Sequence, residues 1–150
     1  MTKTVISSET VHASCVAIGG GAVLLDGPSG SGKSDLALRL VDRGAQLVSD
    51  DYTLLRRVGD RLVASAPATI AGRIEVRGLG LLDIPHVAEA YVRLIVALDE
   101  PPPRMPEEPL PSRRIAGIDL PVIALPAFDA SAPIKVELAL RRFGLGAAAT

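Results

Sequence analysis

Short apolar runs separated by glycines and polar residues dominate this chain, and they predict more strands than helices. β-Branched and apolar residues fill 11–18 and 22–25, with the glycines 19–21 between them. A glycine turn joining two such runs is typical of a β-hairpin, so these two runs are predicted to pair. Similar runs predict further strands at 46–49, 92–98 and 120–125.

Two segments instead show the spacing of an amphipathic helix. The first spans 35–43, with Gly44 placed to end it, because glycine is favoured just after a helix. The second spans 132–143, with Ser131 as the predicted N-cap and Pro133 in the first turn. Residues 144–150 are expected to be frayed.

The middle of the chain predicts a second hairpin, a glycine-interrupted segment and a long connection. Apolar residues flank Gly59-Asp60 and predict strands over 52–58 and 61–64. Apolar positions alternate over 73–84, where Gly78 and Gly80 interrupt them. Six prolines crowd the next segment and exclude a helix or a central strand there: Pro101, Pro102, Pro103, Pro106, Pro109 and Pro111. This connection is interpreted as a surface link, with a lid or a docking loop as the alternative.

Composition excludes several classes of function. The net charge is −1 and aromatic residues make up 3% of the chain, so neither a basic patch nor a stacking surface for nucleic acid is expected. The apolar stretch 16–25 is too short to cross a membrane and is interrupted by glycines. Cys15 is the single cysteine, which excludes an internal disulfide and predicts a buried, inert thiol. No leader sequence is recognised, so a cytoplasmic protein with one domain over 1–150 is expected.

The segment between the first hairpin and the first helix carries the strongest chemical motif. It matches G-x-x-x-x-G-K-[ST], in which backbone N–H groups and a helix N-terminus surround the phosphates of a nucleotide. Lys33 is expected to reach the β- and γ-phosphates, and the Ser34 hydroxyl to bind Mg²⁺. The predicted nucleotide-binding residues are Gly27, Pro28, Ser29, Gly30, Ser31, Gly32, Lys33 and Ser34.

Two adjacent carboxylates, Asp50 and Asp51, follow the predicted strand 46–49. A phosphate loop needs a carboxylate near its Mg²⁺ ion, and the end of a neighbouring strand is a suitable position for one. Neighbouring strand residues point to opposite faces, so the two cannot share one role. One could orient the metal while the other accepts a proton from an attacking hydroxyl. Alternatively, one of them only turns the chain.

Three further residues are candidates on weaker grounds. His12 is interpreted as lying on the strand that pairs with the one feeding the phosphate loop, where it could approach the γ-phosphate; most lone histidines on strands are structural. Glu75 and Arg77 would share one strand face, which would pair a metal ligand with a cation. An exposed ion pair without a function explains the same spacing equally well.

In their order and spacing these motifs resemble the catalytic domain of the bacterial HPr kinase/phosphorylase family. The resemblance rests on residues 11–12, 27–34, 47–51 and 75–81, and it is strongest between 12 and 83. It implies an α/β fold of the phosphoenolpyruvate-carboxykinase-like type of P-loop kinase, with a largely β core and few helices.

The resemblance also implies roles for individual residues. Asp51 would take the proton of the serine that is phosphorylated, and Asp50 would support it beside the metal. His12 and Lys33 match active-site positions, and Arg104 is a looser match to a catalytic arginine. The remaining implied roles are Mg²⁺ ligation by Ser34 and Glu75 and stabilisation of transition-state charge by Arg77.

Three departures from the family pattern shape the expectation. The chain resembles a short form that lacks the family's N-terminal domain. A downstream Pro-Val-Arg-Pro-Gly-Arg segment, associated with dephosphorylation, falls where residues 125–130 read Leu-Pro-Ala-Phe-Asp-Ala. Because both arginines are absent, weak phosphorylase activity or none is expected. The C-terminal helical region is short, although a homo-oligomer such as the family's hexamer remains an expectation.

The resulting hypothesis is an ATP- and Mg²⁺-dependent serine kinase that phosphorylates the phosphocarrier protein HPr of the phosphotransferase system. One alternative is a kinase of a small metabolite on the same fold. The other is a sensor module that binds ATP and regulates a partner without transferring phosphate.

Overall fold

Strands predominate in the computed structural model, which describes residues 7–146. The strands are β1 (Ser8–Val11), β2 (Ala13–Ile18), β3 (Gly21–Asp26), β4 (Gln46–Ser49), β5 (Thr53–Val58), β6 (Arg61–Ser65), β7 (Arg73–Val76), β8 (Gly80–Asp83), β9 (Glu89–Ala97), β10 (Ser112–Ile115) and β11 (Ile118–Ala124). The helices are α1 (Lys33–Asp42) and α2 (Ala132–Phe143), with a 3₁₀ turn at Ala68–Ile70. Neither α1 nor α2 is long and apolar enough to cross a membrane.

A single nine-stranded sheet is organised around β9, and β7 and β8 form a separate hairpin. The path of the sheet is β1-β5-β6-β9-β3-β2-β4. Strand β9 runs parallel to β3 and to β11, and antiparallel to β6. Because β3, β9 and β11 are parallel, their carboxyl ends meet at one edge of the sheet, which is where ligands bind in open sheets of this kind.

Both faces of the central strands are buried. Leu94 packs in one apolar cluster with α1 and α2, and its neighbour Ile95 packs in a second cluster on the other face of the sheet. Consecutive strand residues point to opposite faces, so burial on both sides requires apolar residues at every position. This explains why the run 92–98 is almost unbroken.

Most of the predicted elements are confirmed. Strands β2 and β3 form the predicted hairpin, with a two-residue turn because Gly21 pairs with Ile18. Helix α1 begins two residues earlier than predicted and ends before Gly44, which has φ 108°. Helix α2 has the predicted bounds, although the Ser131 side chain forms no capping hydrogen bond. Residues 101–111 contain neither helix nor strand, as expected.

Several details differ from the sequence expectations. The predicted strand 11–18 is interrupted at His12, since Val11 ends β1 and β2 begins after the bend. Arg77 lies in the turn between β7 and β8, so the prediction that Glu75 and Arg77 share one strand face is wrong. Strands β1 and β10 were not predicted because their residues are mostly polar and exposed. Of the expected frayed segment, 147–150 lie outside the described residues.

Candidate active site

The phosphate-loop motif lies at the carboxyl end of β3 and leads directly into α1. Gly30 and Gly32 have φ of 86° and 96°, in a region that glycine adopts without strain. The Ser31 N–H donates to the Pro28 carbonyl at 3.0 Å and closes a tight turn. The Ser31 hydroxyl is buried and has no hydrogen-bond partner within residues 7–146. An unpartnered buried donor inside this loop fits a site for phosphate oxygens.

Lys33 is folded back over the same loop. Its side chain is almost fully buried, and Nζ donates to the Gly27 carbonyl at 2.5 Å. A buried ammonium group needs acceptors, and a carbonyl satisfies only one of its three donors. The lysine therefore retains donors for an anion that enters the loop.

Asp50 is a buried carboxylate held by three donors. Its Oδ1 accepts hydrogen bonds from Ser34 Oγ at 2.6 Å and from Ser14 Oγ at 3.0 Å. Its Oδ2 accepts from the backbone N–H of Glu75 at 3.1 Å. These donors compensate for the burial of a group that is only 7% exposed. Asp50 thereby joins β2, β4, β7 and the start of α1.

Ser14 is a site residue that the sequence analysis missed. It is fully buried in β2, and its hydroxyl also accepts a hydrogen bond from the Asp51 N–H at 3.0 Å. One hydroxyl therefore contacts both members of the aspartate pair. A polar residue inside the apolar run 13–18 was the available signal, because buried hydroxyls need partners.

Asp51 is half exposed and points to different neighbours. Its Oδ1 lies 2.7 Å from His12 Nε2 and 3.8 Å from Lys33 Nζ. The backbone of Asp51 has φ 68°, an uncommon conformation for a residue with a side chain. Such conformations are often retained at functional sites. With this backbone conformation, the carboxylates of Asp50 and Asp51 lie against different neighbours.

His12 is oriented by two contacts. Its ring stacks on Tyr52, with centroids 4.9 Å apart and an interplanar angle of 21°. Because an ionised carboxylate only accepts hydrogen bonds, His12 Nε2 is the donor to Asp51. The bend between β1 and β2 thus brings the imidazole to Asp51, and His12 does not lie within a strand as its sequence context predicts.

The other candidate residues are less closely connected to this cluster. Glu75 contacts Asp50 through its backbone N–H, and its own side chain is exposed. Arg77 and Arg104 are exposed, and neither forms a hydrogen bond or an ion pair with another residue between 7 and 146. The ion pair considered for Glu75 and Arg77 is accordingly not formed.

A segment after β11 contacts the phosphate loop from another direction. A Cβ added at Gly32 would lie 3.0 Å from the Ala127 Cβ and from two ring carbons of Phe128. Arg39 of α1 donates to the carbonyls of Ala127 and Asp129, the latter at 3.1 Å. No local sequence pattern predicts this connection, because the residues are about ninety positions apart in the chain.

Oxygen ligands for a metal are available where α1 begins. Ser34 Oγ and Asp50 Oδ1 are hard oxygen donors of the kind that Mg²⁺ prefers. Within residues 7–146 there is no group of three His, Cys, Asp or Glu side chains arranged to hold a metal ion. Mg²⁺ commonly keeps several waters and is held by one or two protein oxygens together with substrate phosphates. The residues present fit an ion that enters together with a nucleotide.

Comparison with known proteins identifies the family. A sequence model of the family described as HPr Serine kinase C-terminal domain matches residues 3–136. The chain belongs to this family. A solved structure of the Hpr(Ser) kinase/phosphatase from Coxiella burnetii is 33% identical and has a TM-score of 0.77, covering 89% of this chain and 94% of that one. The predicted α/β fold with a β-rich core and few helices is thereby confirmed.

Curated relatives agree with this membership. An HPr kinase/phosphorylase of Pelodictyon phaeoclathratiforme is 39% identical over 135 residues, which is 80% of this chain and 40% of the relative. One from Xylella fastidiosa is 36% identical over 136 residues, 78% of this chain and 42% of the relative. One from Caldanaerobacter subterraneus subsp. tengcongensis is 50% identical over 76 residues, 50% of this chain and 25% of the relative. The chain therefore spans less than half of the length of these curated relatives.

Proposed function

We propose that this chain transfers the γ-phosphoryl group of ATP, in the presence of Mg²⁺, to a serine hydroxyl of the phosphocarrier protein HPr. The observation that carries the proposal is the position of the Asp51 carboxylate, half exposed and 3.8 Å from the phosphate-loop lysine. A proton acceptor beside the group that holds the terminal phosphate is what transfer to a hydroxyl requires. The relatives' names supply the acceptor, since they are HPr kinase/phosphorylases.

In the proposed reaction the phosphate loop holds the donor. Backbone N–H groups of residues 27–34 and the start of α1 bind the phosphates, and Lys33 moves from the Gly27 carbonyl to the β- and γ-phosphates. Ser34 and Asp50 would hold Mg²⁺. The bound ion neutralises charge on the phosphate oxygens.

Asp51 is the proposed general base. It accepts the proton of the serine hydroxyl while the serine oxygen bonds to the γ-phosphorus and the bond from that phosphorus to the oxygen of ADP breaks. His12 keeps the Asp51 carboxylate in position through its 2.7 Å hydrogen bond. Arg77 and Arg104 would approach the transferred phosphoryl group when both substrates are bound, and their exposed, unpaired guanidinium groups within the described residues are compatible with this.

Weak reverse activity is part of the proposal. Phosphorolysis needs inorganic phosphate held beside a phosphoserine, and cations are the groups that do this best. Residues 125–130 contain no arginine or lysine, and the side chains that lie next to Gly32 of the phosphate loop there are those of Ala127 and Phe128. Incubation of phosphorylated HPr with the protein and phosphate should release little pyrophosphate. Rapid pyrophosphate release would refute this part of the proposal without affecting the kinase assignment.

One labelling experiment tests the forward reaction. The protein is mixed with γ-labelled ATP, Mg²⁺ and HPr, and the label is located by mass spectrometry. Label on a serine of HPr is the expected result. Label on a small metabolite from an added extract would favour a metabolite kinase, and ATP binding without transfer would favour a sensor module.

We also propose a cytoplasmic location, where ATP is present and thiols stay reduced. Cys15, the single cysteine, is fully buried and unpaired, which is compatible with such a compartment.

A further inference from the structure

Asp51 is the central residue of a tight turn that also places Tyr52. The Tyr52 N–H donates to the Asp50 carbonyl at 2.8 Å, and Asp51 between them has φ 68°. A hydrogen bond between residues two positions apart defines a γ-turn, and the form with positive φ is rare and strained. The Ser49 hydroxyl also donates to the Tyr52 carbonyl. These contacts fix the backbone of the proposed base and of the residue that follows it.

Consecutive residues of this turn hold the same histidine ring. Asp51 Oδ1 accepts a hydrogen bond from His12 Nε2 at 2.7 Å. The ring of Tyr52 stacks on the imidazole, with centroids 4.9 Å apart and an interplanar angle of 21°. The first contact acts at the edge of the imidazole and the second acts on its face. Together they set the direction in which Nε2 points and the tilt of the ring.

The backbone beside His12 is already tied down, so the orientation of its side chain is what remains to be set. Val11 pairs with Thr53, and the buried Thr53 hydroxyl donates to the Ala13 carbonyl at 2.7 Å. The imidazole still has its two side-chain torsions, and 39% of the side chain is exposed. An exposed hydrogen bond competes with water and is weak by itself. A stacked aromatic ring restricts those torsions and covers one face of the imidazole.

We infer that Tyr52 is a positioning residue, whose ring keeps His12 in the orientation that directs Nε2 to the Asp51 carboxylate. The inference rests on the proposed function, because it assumes that Asp51 is the base for transfer to a serine. Tyr52 acts through His12 and uses only its aromatic face, so phenylalanine should serve equally well. Because a reacting group is positioned rather than a substrate bound, the effect should appear in kcat and not in KM.

Proton NMR of the imidazole rings tests the stacking without reference to activity. The chain contains two histidines, His12 and His86, and His86→Gln assigns their signals. Protons above an aromatic face are shifted upfield, so Tyr52→Leu should move the His12 ring signals downfield and leave those of His86 in place. Tyr52→Phe should keep the wild-type shifts. Unchanged His12 signals in Tyr52→Leu would overturn the inference.

Transfer kinetics with ATP and HPr test the positioning role. Tyr52→Leu should lower kcat about 5-fold and leave the KM for HPr and for ATP unchanged, and Tyr52→Phe should restore the wild-type kcat. Tyr91→Leu is the matched control, because Tyr91 is 40% exposed and lies in β9 opposite Val63. It should turn over as wild type. A raised KM for HPr with unchanged kcat in Tyr52→Leu would make Tyr52 a contact to the acceptor and overturn the inference.

A double variant shows whether Tyr52 acts through His12. His12→Phe removes the hydrogen bond to Asp51, so adding Tyr52→Leu to it should cause no further loss of kcat. Losses that multiply would mean that Tyr52 acts independently of His12 and would overturn the inference. The proposed function fails separately: it is refuted if the wild-type protein transfers no phosphate to HPr. Transfer by the wild type together with an unchanged kcat of Tyr52→Leu would refute the positioning role alone.

Discussion

Asp50 and Asp51 are adjacent in the chain, and their carboxylates contact different partners. Asp50 is buried and accepts hydrogen bonds from Ser14, Ser34 and the Glu75 backbone. Asp51 is half exposed and lies between His12 and Lys33. A solvent-accessible carboxylate can meet an incoming hydroxyl, whereas a buried one with its oxygens already engaged cannot. This difference is the reason why we propose Asp51 as the proton acceptor and Asp50 as the metal ligand.

Asp51→Asn should reduce transfer to HPr by at least about 100-fold, because an amide cannot accept the serine proton. ATP affinity should change little, since the loop and Lys33 remain. Transfer is measured with γ-labelled ATP and ATP binding by calorimetry. Asp60→Asn, in the exposed turn between β5 and β6, is the control and should behave as wild type. Normal turnover by Asp51→Asn would remove this residue from the role of base.

Asp50→Ala should destabilise the fold as well as abolish activity. It leaves two hydroxyls and one backbone N–H without their acceptor in a buried site, and each such loss costs about 1–3 kcal/mol. Urea denaturation should therefore show a clearly lower midpoint than for wild type. Asp60→Ala serves as the exposed counterpart. An unchanged midpoint for Asp50→Ala would show that the donors find other acceptors, and the assigned structural role would be wrong.

His12→Phe should separate orientation of the base from nucleotide binding. The phenyl ring can still stack on Tyr52, but the hydrogen bond to Asp51 is lost. We expect kcat to fall about 10-fold with the Kd of ATP unchanged, since the lost contact affects only the positioning of a reacting group. The control is His86→Gln, which alters an exposed histidine bonded to Ile84. A weaker ATP affinity with unchanged kcat would instead assign His12 to binding.

Gly32→Ala should strongly weaken nucleotide binding, while Gly20→Ala should leave it unchanged. At Gly32 the backbone has φ 96°, and a Cβ would lie 3.0 Å from the Ala127 Cβ and from the Phe128 ring. At Gly20 no atom lies within 4 Å of an added Cβ. ATP affinity measured by calorimetry should thus drop more than about 10-fold only for Gly32→Ala. Equal affinities for the two variants would contradict the rigid loop conformation.

Cys15 should be unreactive in the folded protein. Burial raises the pKa of its thiol, because the thiolate cannot be solvated in the core. The folded state therefore favours the protonated thiol. As pH rises above about 8.5, the pKa of the thiol in the unfolded chain, the unfolded chain ionises and the folded protein does not, so the free energy of unfolding falls. Reaction with a thiol reagent at pH 8 should require unfolding and become fast in urea. Fast labelling of the native protein would contradict the burial.

Local patterns were sufficient for the elements whose residues interact with near neighbours. The hairpin of β2 and β3, helix α1 and the loop 27–34 are all encoded within about thirty consecutive residues, as glycine positions and apolar spacing. Strands β1 and β10 could not be found in this way. Their residues are mostly polar, and β1 forms because it pairs with β5, about forty-five positions away.

The residues of the candidate site can be divided in the same way. The sequence predicted the phosphate loop, the aspartate pair and the order in which these motifs follow one another. Each motif is a short run of residue types suited to phosphates and metals. The sequence also suggested His12, but only as part of a strand. The bend after Val11 and the stacking on Tyr52 were decided by the pairing of β1 with β5 and of β2 with β3.

By itself the sequence determined that this chain has a phosphate loop, a β-rich core and a pair of carboxylates after a buried strand. Only the tertiary structure decided which carboxylate is buried against Ser14 and Ser34 and which one meets His12 and Lys33. It also brought Phe128 next to Gly32 and the carbonyls of Ala127 and Asp129 to Arg39. The physical reason is that hydrogen bonding and burial depend on distances through space, and those distances are set by the packing of β2, β3, β4 and α1 rather than by proximity along the chain.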